Sequence, residues 1–114
     1  MLGRLLVASP VVVWAFGCAS PTLPLPPPQL VTVTQVDSDH VSLSGQCGST
    51  PPSAILIVLN ENESLPLDQR GASTLTDPSC GKWDVLVFAH AKDTLAVWYE
   101  ERGQPSQSTY VVVP

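Results

Sequence analysis

The sequence predicts an all-β sandwich of seven antiparallel strands in residues 30–114. Short runs rich in Val, Ile, Thr and aromatic residues are separated by clusters of Gly, Pro, Asn, Asp and Ser, which is the pattern of strands joined by turns. These turn signals recur about every ten residues, as in small two-sheet sandwiches. No segment shows a sustained helical period, so the pattern favours strands throughout.

The first two strands are expected to have one apolar and one polar face. Valine alternates with threonine in residues 30–36, and valine and leucine alternate with serine in residues 40–45. Such alternation is typical of an antiparallel sheet with one face in water. The Asp-Ser-Asp of residues 37–39 predicts a turn, because short polar side chains bond their own backbone there.

The later strands are more apolar. Residues 54–60 are apolar on both faces, which predicts a central strand or one whose outer face is covered. Residues 60–69 are expected to form a polar loop. The remaining predicted strands are residues 73–76, 82–89, 94–101 and 108–113.

The start of the chain has the features of an export signal. Arg4 precedes an apolar run, residues 5–16, and Gly17 supplies the small residue that such a signal needs before its cleavage site. A transmembrane anchor is disfavoured, because residues 5–17 are short of the about 20 apolar residues that a span requires. A plain secretory peptide cut nearby remains an alternative.

Residues 15–18, Ala-Phe-Gly-Cys, resemble the lipobox of bacterial lipoproteins, in which the cysteine carries diacylglycerol and becomes the mature N-terminus. The resemblance implies that residues 1–17 are the signal peptide and that Cys18 is lipidated. Ala19, in the second mature position, resembles lipoproteins that are sent on to the outer membrane. A protein anchored in the outer membrane is therefore expected.

A proline-rich segment follows the cysteine. Residues 20–29 contain five prolines, a density that excludes helix and sheet and favours extended polyproline II. We expect residues 18–29 to form a semi-rigid stalk that holds the domain up to roughly 34 Å from the bilayer.

The three cysteines support this division. If Cys18 is lipidated, Cys47 and Cys80 remain as an even pair in a compartment where disulfides persist. Metal ligation by the pair is the alternative, but neither histidine has zinc-ligand spacing to it. A bridge that closes a loop of about 34 residues would add roughly 3–4 kcal/mol of stability.

The strands also resemble successive strands of bacterial immunoglobulin-like domains. The residues that carry the resemblance are 41–45, 54–60, 77–85 and 94–99, with Gly103 and Ser106 behind them. The resemblance implies an immunoglobulin-like or fibronectin-III-like sandwich. In this arrangement the two cysteines join the end of the second strand to the start of the fifth.

Charge narrows the range of partners. After residue 17 the chain keeps ten acidic and four basic residues, a formal net charge of −6. Nucleic-acid binding needs clustered Lys and Arg, and docking on anionic lipid headgroups needs the same. We therefore expect no nucleic-acid partner, and membrane attachment through the lipid on Cys18.

Catalysis has little support in the sequence. No serine lies in a nucleophile-elbow context, and His40 and His90 are expected to be solvated turn residues. Asp37 and Asp39 supply two of the six to eight oxygens that calcium requires. We expect no enzyme activity, no metal and no cofactor.

Four residues are candidates for partner contacts. Leu65 and Leu67 are apolar residues on the polar loop, where they either form a contact site or fold over the core as a lid. Trp98 and Tyr99 point to opposite faces of one strand, so at most one fills the core with Trp83. The other would be a partner-binding anchor or a cross-strand packing residue.

These observations predict a lipid-anchored, non-enzymatic accessory or structural module of an envelope assembly. Tethering raises the local concentration of such a module, so weak contacts suffice. The alternative is a small periplasmic or surface lipoprotein that inhibits an enzyme or binds a ligand.

Overall fold

Eight short strands in two antiparallel sheets make up the fold in a computed structural model that describes residues 23–114. The predicted signal peptide, Cys18 and the first part of the predicted stalk lie outside the described residues. The elements are β1 (Val31–Gln35), β2 (His40–Gly45), β3 (Ile55–Asn60), α1 (Leu67–Arg70), β4 (Gly71–Leu75), β5 (Trp83–Phe88), β6 (Thr94–Glu101), β7 (Gln104–Pro105) and β8 (Thr109–Val112).

The predicted two-sheet sandwich is confirmed. One sheet has the strand order β1-β2-β5, and the other has the order β4-β3-β6, with β7 and β8 both pairing with β6. The strand count is eight rather than seven. The additional strand, β7, is a two-residue pairing against the end of β6, too short to produce an alternating pattern in the sequence.

Alternate residues of the strands point inward, as the sequence pattern predicts. Thus β2 contributes Val41 and Leu43, while β3 contributes Leu56 and Val58, and all four are fully buried. The whole core cluster comprises Val41, Leu43, Ala54, Leu56, Val58, Trp83, Val87, Ala89, Leu95, Val97, Tyr99 and Val113.

The loops divide between two ends of the sandwich. The disulfide end, which contains Cys47 and Cys80, consists of the loops at residues 46–54, 76–82 and 102–103. The histidine end, which contains His90, consists of the loops at residues 36–39, 61–70 and 89–93.

The predicted disulfide is confirmed, with a Cα–Cα distance of 4.9 Å between Cys47 and Cys80. Its position is also as expected, just after β2 and just before β5. These strands are neighbours whose register pairs Gly45 with Trp83. The backbone amide of Gly48 donates to the Cys80 carbonyl at 2.8 Å, so the bridge joins two loops that are also hydrogen-bonded.

Residues 25–29, which belong to the predicted stalk, lie against the sandwich. The amide of Gln107 donates to the Leu25 carbonyl at 3.0 Å, and the Thr109 hydroxyl donates to the Pro28 carbonyl at 2.8 Å. An extended proline-rich segment has no internal hydrogen bonds, so its carbonyls are free to accept from a neighbouring strand.

The connection after β3 also differs from the prediction. It contains α1, a single helical turn that follows Pro66, and β4 begins at Gly71 rather than at residue 73. One turn is too short to show a helical period in the sequence. Within residues 23–114 no helix has the length and apolar character needed to cross a membrane.

Candidate functional site

The outward side of the larger sheet is apolar, although it faces solvent. We call this surface the apolar outer face. It consists of Ile55, Ile57, Leu59, Leu75, Ala96, Trp98, Tyr110 and Val112.

The strand register aligns these residues in rows across the sheet. In one row Ile57 pairs with Trp98. In the next row Leu59 pairs with Ala96, and Ala96 pairs with Tyr110. Residues in such rows are cross-strand neighbours on one side of a sheet, so the face is continuous from β4 to β8.

Much of this surface is accessible. Leu75 is 70% exposed, Tyr110 62%, Val112 61% and Ile55 45%. Four strands about 4.8 Å apart and about six residues long span roughly 20 Å by 20 Å. An apolar patch of this size is near the largest that soluble monomers show, and such patches often mark binding sites.

The smaller sheet has a more polar outer face, with hydroxyl side chains along β1 and β2. Its register places Thr32 beside Ser44 and Ser44 beside Asp84. Leu86 is a large apolar residue on this side, at 55% exposure. The contrast between the two sheets shows that an apolar exterior is not a general property of this domain.

Charge is nearly absent from the apolar outer face. At the outward positions of β3, β4, β6 and β8, the single charged residue is Glu100, which pairs with Ile55 and with Pro105 in the row nearest the disulfide end. A partner can therefore cover the centre of the face without burying an ionised group, which would be costly.

The two adjacent aromatics separate as the alternation predicts. Tyr99 is 2% exposed and packs in the core, so its side chain offers no partner contact. Burial, and then the carboxylate of Glu101, raise the pKa of Tyr99. Trp98 lies half-buried on the apolar outer face, where the partner-binding prediction still applies.

The loop leucines lie at the histidine end, away from Trp98 in the middle of β6. Leu67 is 79% exposed, so it does not cover the core as a lid. Leu65 is half-buried. A partner contact by either residue stays a prediction.

Two histidine–aspartate pairs mark the histidine end. His40 Nδ1 lies 3.0 Å from Asp37 Oδ1, and His90 Nε2 lies 2.9 Å from Asp39 Oδ1. The Phe88 ring lies between the two imidazoles in edge contacts, with centroid distances of 5.6 and 5.1 Å. Both pairs are solvent-exposed, as expected for turn residues.

Asp93 organises the loops beside these pairs. Its carboxylate accepts hydrogen bonds from Asn60 Nδ2 at 3.0 Å, from Asn62 Nδ2 at 3.1 Å and from the backbone amide of His90 at 2.9 Å. Partial burial alone would raise the pKa of Asp93, but these hydrogen bonds hold it below its ordinary value. Because Asn60 is fully buried, the network fixes the end of β3.

In the part of the chain that the structure describes, each imidazole is hydrogen-bonded to one aspartate. No serine, threonine or cysteine side chain there is hydrogen-bonded to either histidine. No group of three potential metal ligands occurs within residues 23–114. A depression of about 390 Å³ beside Asp93 is lined by Glu61, Asn62, Lys92 and Thr94, whereas ligand pockets are mostly apolar.

Sequence reasoning identified Trp98 but missed the rest of the face. The available signal was the apolar character of both sides of residues 54–60. The sequence does not reveal the strand order, which places Tyr110 and Leu75 on either side of the two central strands.

Comparison with known proteins shows similarity in fold. No family model matches the chain, and no curated protein matches it. A crystal structure of an FN3 domain of human collagen XX is 19% identical, with a TM-score of 0.48 over 83% of this chain and 99% of that one. A solution structure of the fn3 domain of the human collagen alpha-1(XX) chain is 12% identical, with a TM-score of 0.50 over 84% of this chain and 93% of that one. The chain is thus a fibronectin-III-like β-sandwich.

Proposed function

We propose that this chain is a lipid-anchored, non-enzymatic protein-interaction module of the bacterial cell envelope, and that it makes contact through the apolar outer face. The observation that carries the proposal is the exposed, almost uncharged surface around Trp98. Half-buried aromatic residues at the centre of an apolar patch are frequent anchors of protein interfaces.

The anchor is proposed on the sequence of residues 15–18, with Cys18 as the lipidated residue and the outer membrane as the destination. Two or more acyl chains give stable attachment, at about 0.8 kcal/mol per buried methylene. A tethered module needs little intrinsic affinity, because its partner in the same membrane is at high effective concentration.

The packing of residues 25–29 against the sandwich shortens the part of the chain that can separate the domain from the membrane. A stalk formed by residues 18–24 would reach about 22 Å at 3.1 Å per residue. Leu25 pairs with Ser106, beside the edge of the larger sheet. A short stalk at this edge would keep the apolar outer face close to the bilayer.

The anchor is tested with Cys18→Ser in the full-length chain. We expect the substitution to abolish labelling by a fatty-acid probe and to move the protein from the membrane to the soluble fraction. Cys47→Ser is the matched control, because it removes a cysteine that is disulfide-bonded in the structure, and it should retain both label and membrane attachment. Persistent labelling of the Cys18→Ser protein contradicts the anchor.

The interaction role is tested by co-purification after mild crosslinking of intact cells. An assembly subunit should be recovered in a stoichiometric complex, and Trp98→Glu should abolish that complex while leaving membrane attachment unchanged. Leu86→Glu is the control on the other sheet and should preserve the complex. Equal recovery of the complex with both variants rules out the apolar outer face as the contact surface.

A further inference from the structure

We infer that the apolar outer face binds a second copy of this chain, in a twofold dimer whose axis runs parallel to the strands between β3 and β6. This inference rests on the proposed function, since it names the partner of the same face. It is carried by the order of side chains across the sheet, by the position of the charges and by the place where the N-terminal segment meets the sheet.

The side chains of the face are complementary to themselves under this symmetry. The central row reads Gly71, Leu59, Ala96, Tyr110 from β4 to β8. A twofold axis along the strands reverses the order in the second copy, so that Tyr110 lies opposite Gly71 and Leu59 lies opposite Ala96. In this row each bulky residue therefore meets a small one, as suits an isologous interface in which the same patch meets itself.

Gly71 has no side chain, so it leaves an open space on the face that Tyr110 of the second copy can occupy; we call this space the notch. A Cβ atom built on Gly71 would meet only the Val58 carbonyl oxygen, at 3.8 Å, so the space above it is open. Tyr110 is 62% exposed at the other end of the same row. In the adjacent row the same symmetry places Ile57 opposite Trp98. Two sheets packed face to face cross at about 30°, so the alignment is best kept between β3 and β6, near the axis, and shifts toward β4 and β8.

The charges are compatible with self-association. The chain after residue 17 carries a formal net charge of −6, so two copies repel each other, and this repulsion is reduced by salt and by keeping charges away from the contact surface. The single charged residue at the outward positions of the face, Glu100, lies in its end row, next to Ile55. The twofold axis places each Glu100 opposite Ile55 of the second copy, so the two carboxylates do not meet.

The size of the face suits a dimer that forms only between anchored copies. A planar area of about 400 Å² per copy is roughly half of the about 800 Å² per partner that standard interfaces bury. The affinity in solution should therefore be weak, with a dissociation constant on the order of 100 µM. Confinement to one membrane offsets this weakness.

The place where the chain enters the domain also agrees with this geometry. Residues 25–28 lie along the edge formed by β7 and β8, through the pairing of Leu25 with Ser106. An axis parallel to the strands keeps the entry points of both copies at the same end of the dimer. Both lipid anchors can then insert into one bilayer.

The test uses two full-length copies with different C-terminal tags, co-expressed in the bacterium. One carries Leu75→Cys and the other Pro105→Cys, because the twofold axis places these exposed rim positions opposite each other. The control pair is Thr32→Cys with Asp84→Cys, the two ends of a row on the smaller sheet. A short bis-maleimide is applied to intact cells, and copies without added cysteine report on the native thiols.

We expect the Leu75→Cys and Pro105→Cys pair to give at least about tenfold more crosslinked dimer than the control pair. Adding Gly71→Trp, which fills the notch, should reduce the yield at least about tenfold. Thr34→Trp, on the exposed edge strand of the other sheet, should leave the yield unchanged. If the Gly71→Trp protein does not accumulate, Tyr110→Ser replaces it with the same expected loss.

Equal yields from the two cysteine pairs, or a dimer that Gly71→Trp does not reduce, overturn the inference. If lipid or a different protein covers the face, the two copies give no crosslink, and this result also overturns the inference. The proposed function survives that result if Trp98→Glu still abolishes a stoichiometric complex. The two proposals can therefore fail separately.

Discussion

Two glycines with opposite surroundings show how single residues constrain this domain. A Cβ atom at Gly45 would overlap the indole Nε1 of Trp83 and the hydroxyl of Ser49, which are themselves hydrogen-bonded at 3.1 Å. At Gly71 a Cβ atom would meet only a carbonyl oxygen at 3.8 Å, and the backbone φ is −119°. The first glycine is required by packing, whereas the second is required by neither packing nor backbone conformation.

We predict that Gly45→Ala lowers the free energy of unfolding by about 1–3 kcal/mol, because it overpacks a well-filled site. Gly71→Ala should change it by no more than about 0.5 kcal/mol. Urea denaturation of the two variants measures both effects. Similar losses for the two variants would be inconsistent with the close contact at Trp83.

Asp93 should control stability at the histidine end. Asp93→Asn loses an ionised acceptor for three donors, so we expect a loss of about 1–3 kcal/mol in the free energy of unfolding at neutral pH. Glu63→Gln, on an exposed loop residue, is the control and should have little effect.

The same carboxylate predicts the direction of acid sensitivity. Because the folded pKa of Asp93 is lowered, its contribution to stability is complete above the ordinary carboxyl pKa of about 3.9 and is lost as pH falls through the folded value. The Asp93→Asn protein should therefore lose less stability than the wild type below about pH 4. A variant with the same acid-induced loss as the wild type would show that Asp93 has no such role.

At the scale of elements, the disulfide connects two loops that the sheet already brings together. We predict that Cys47→Ser and Cys80→Ser each lower the free energy of unfolding by roughly 3–4 kcal/mol, and that the double variant loses no more than either one. Thermal unfolding of the three variants measures this. Clearly unequal losses for the two single variants would show that loss of the disulfide does not by itself explain the destabilisation.

The segment formed by residues 25–29 behaves as part of the domain. Its amide at Gln29 donates to the Ser49 carbonyl at 3.0 Å, and the Gln107 amide donates to Leu25 at 3.0 Å. Hydrogen exchange should show both amides protected relative to that of Glu63. Rapid exchange at both positions would return residues 25–29 to the stalk.

The strands could be predicted from the sequence because their alternation records which side of each strand is buried. Both α1 and the packed segment at residues 25–29 were missed for physical reasons. A single helical turn has no period to detect, and an extended segment that pairs by its carbonyls resembles a free polyproline stalk. The apolar outer face was only partly predictable, because Tyr110 and Leu75 become its members through strand order rather than through local pattern.

At the scale of the whole molecule, the sandwich has two dissimilar exteriors. The outer side of the β1-β2-β5 sheet carries hydroxyl side chains along β1 and β2, while the larger sheet is mainly apolar on both sides. Exposing apolar side chains costs solubility, and a partner that covers them removes that cost. The proposed anchor would hold the apolar sheet close to the bilayer, where its partner is expected.

The most direct test of the central claim is photo-crosslinking in intact cells, with a benzoylphenylalanine placed at one site of the full-length chain. Tyr110, on the apolar outer face, is 62% exposed and already aromatic, and Thr34 on the opposite sheet is the matched control. We predict a discrete adduct of higher mass from position 110 and none from position 34. Absence of an adduct at position 110, or equal adducts at both positions, would contradict the apolar outer face as the contact surface of this protein.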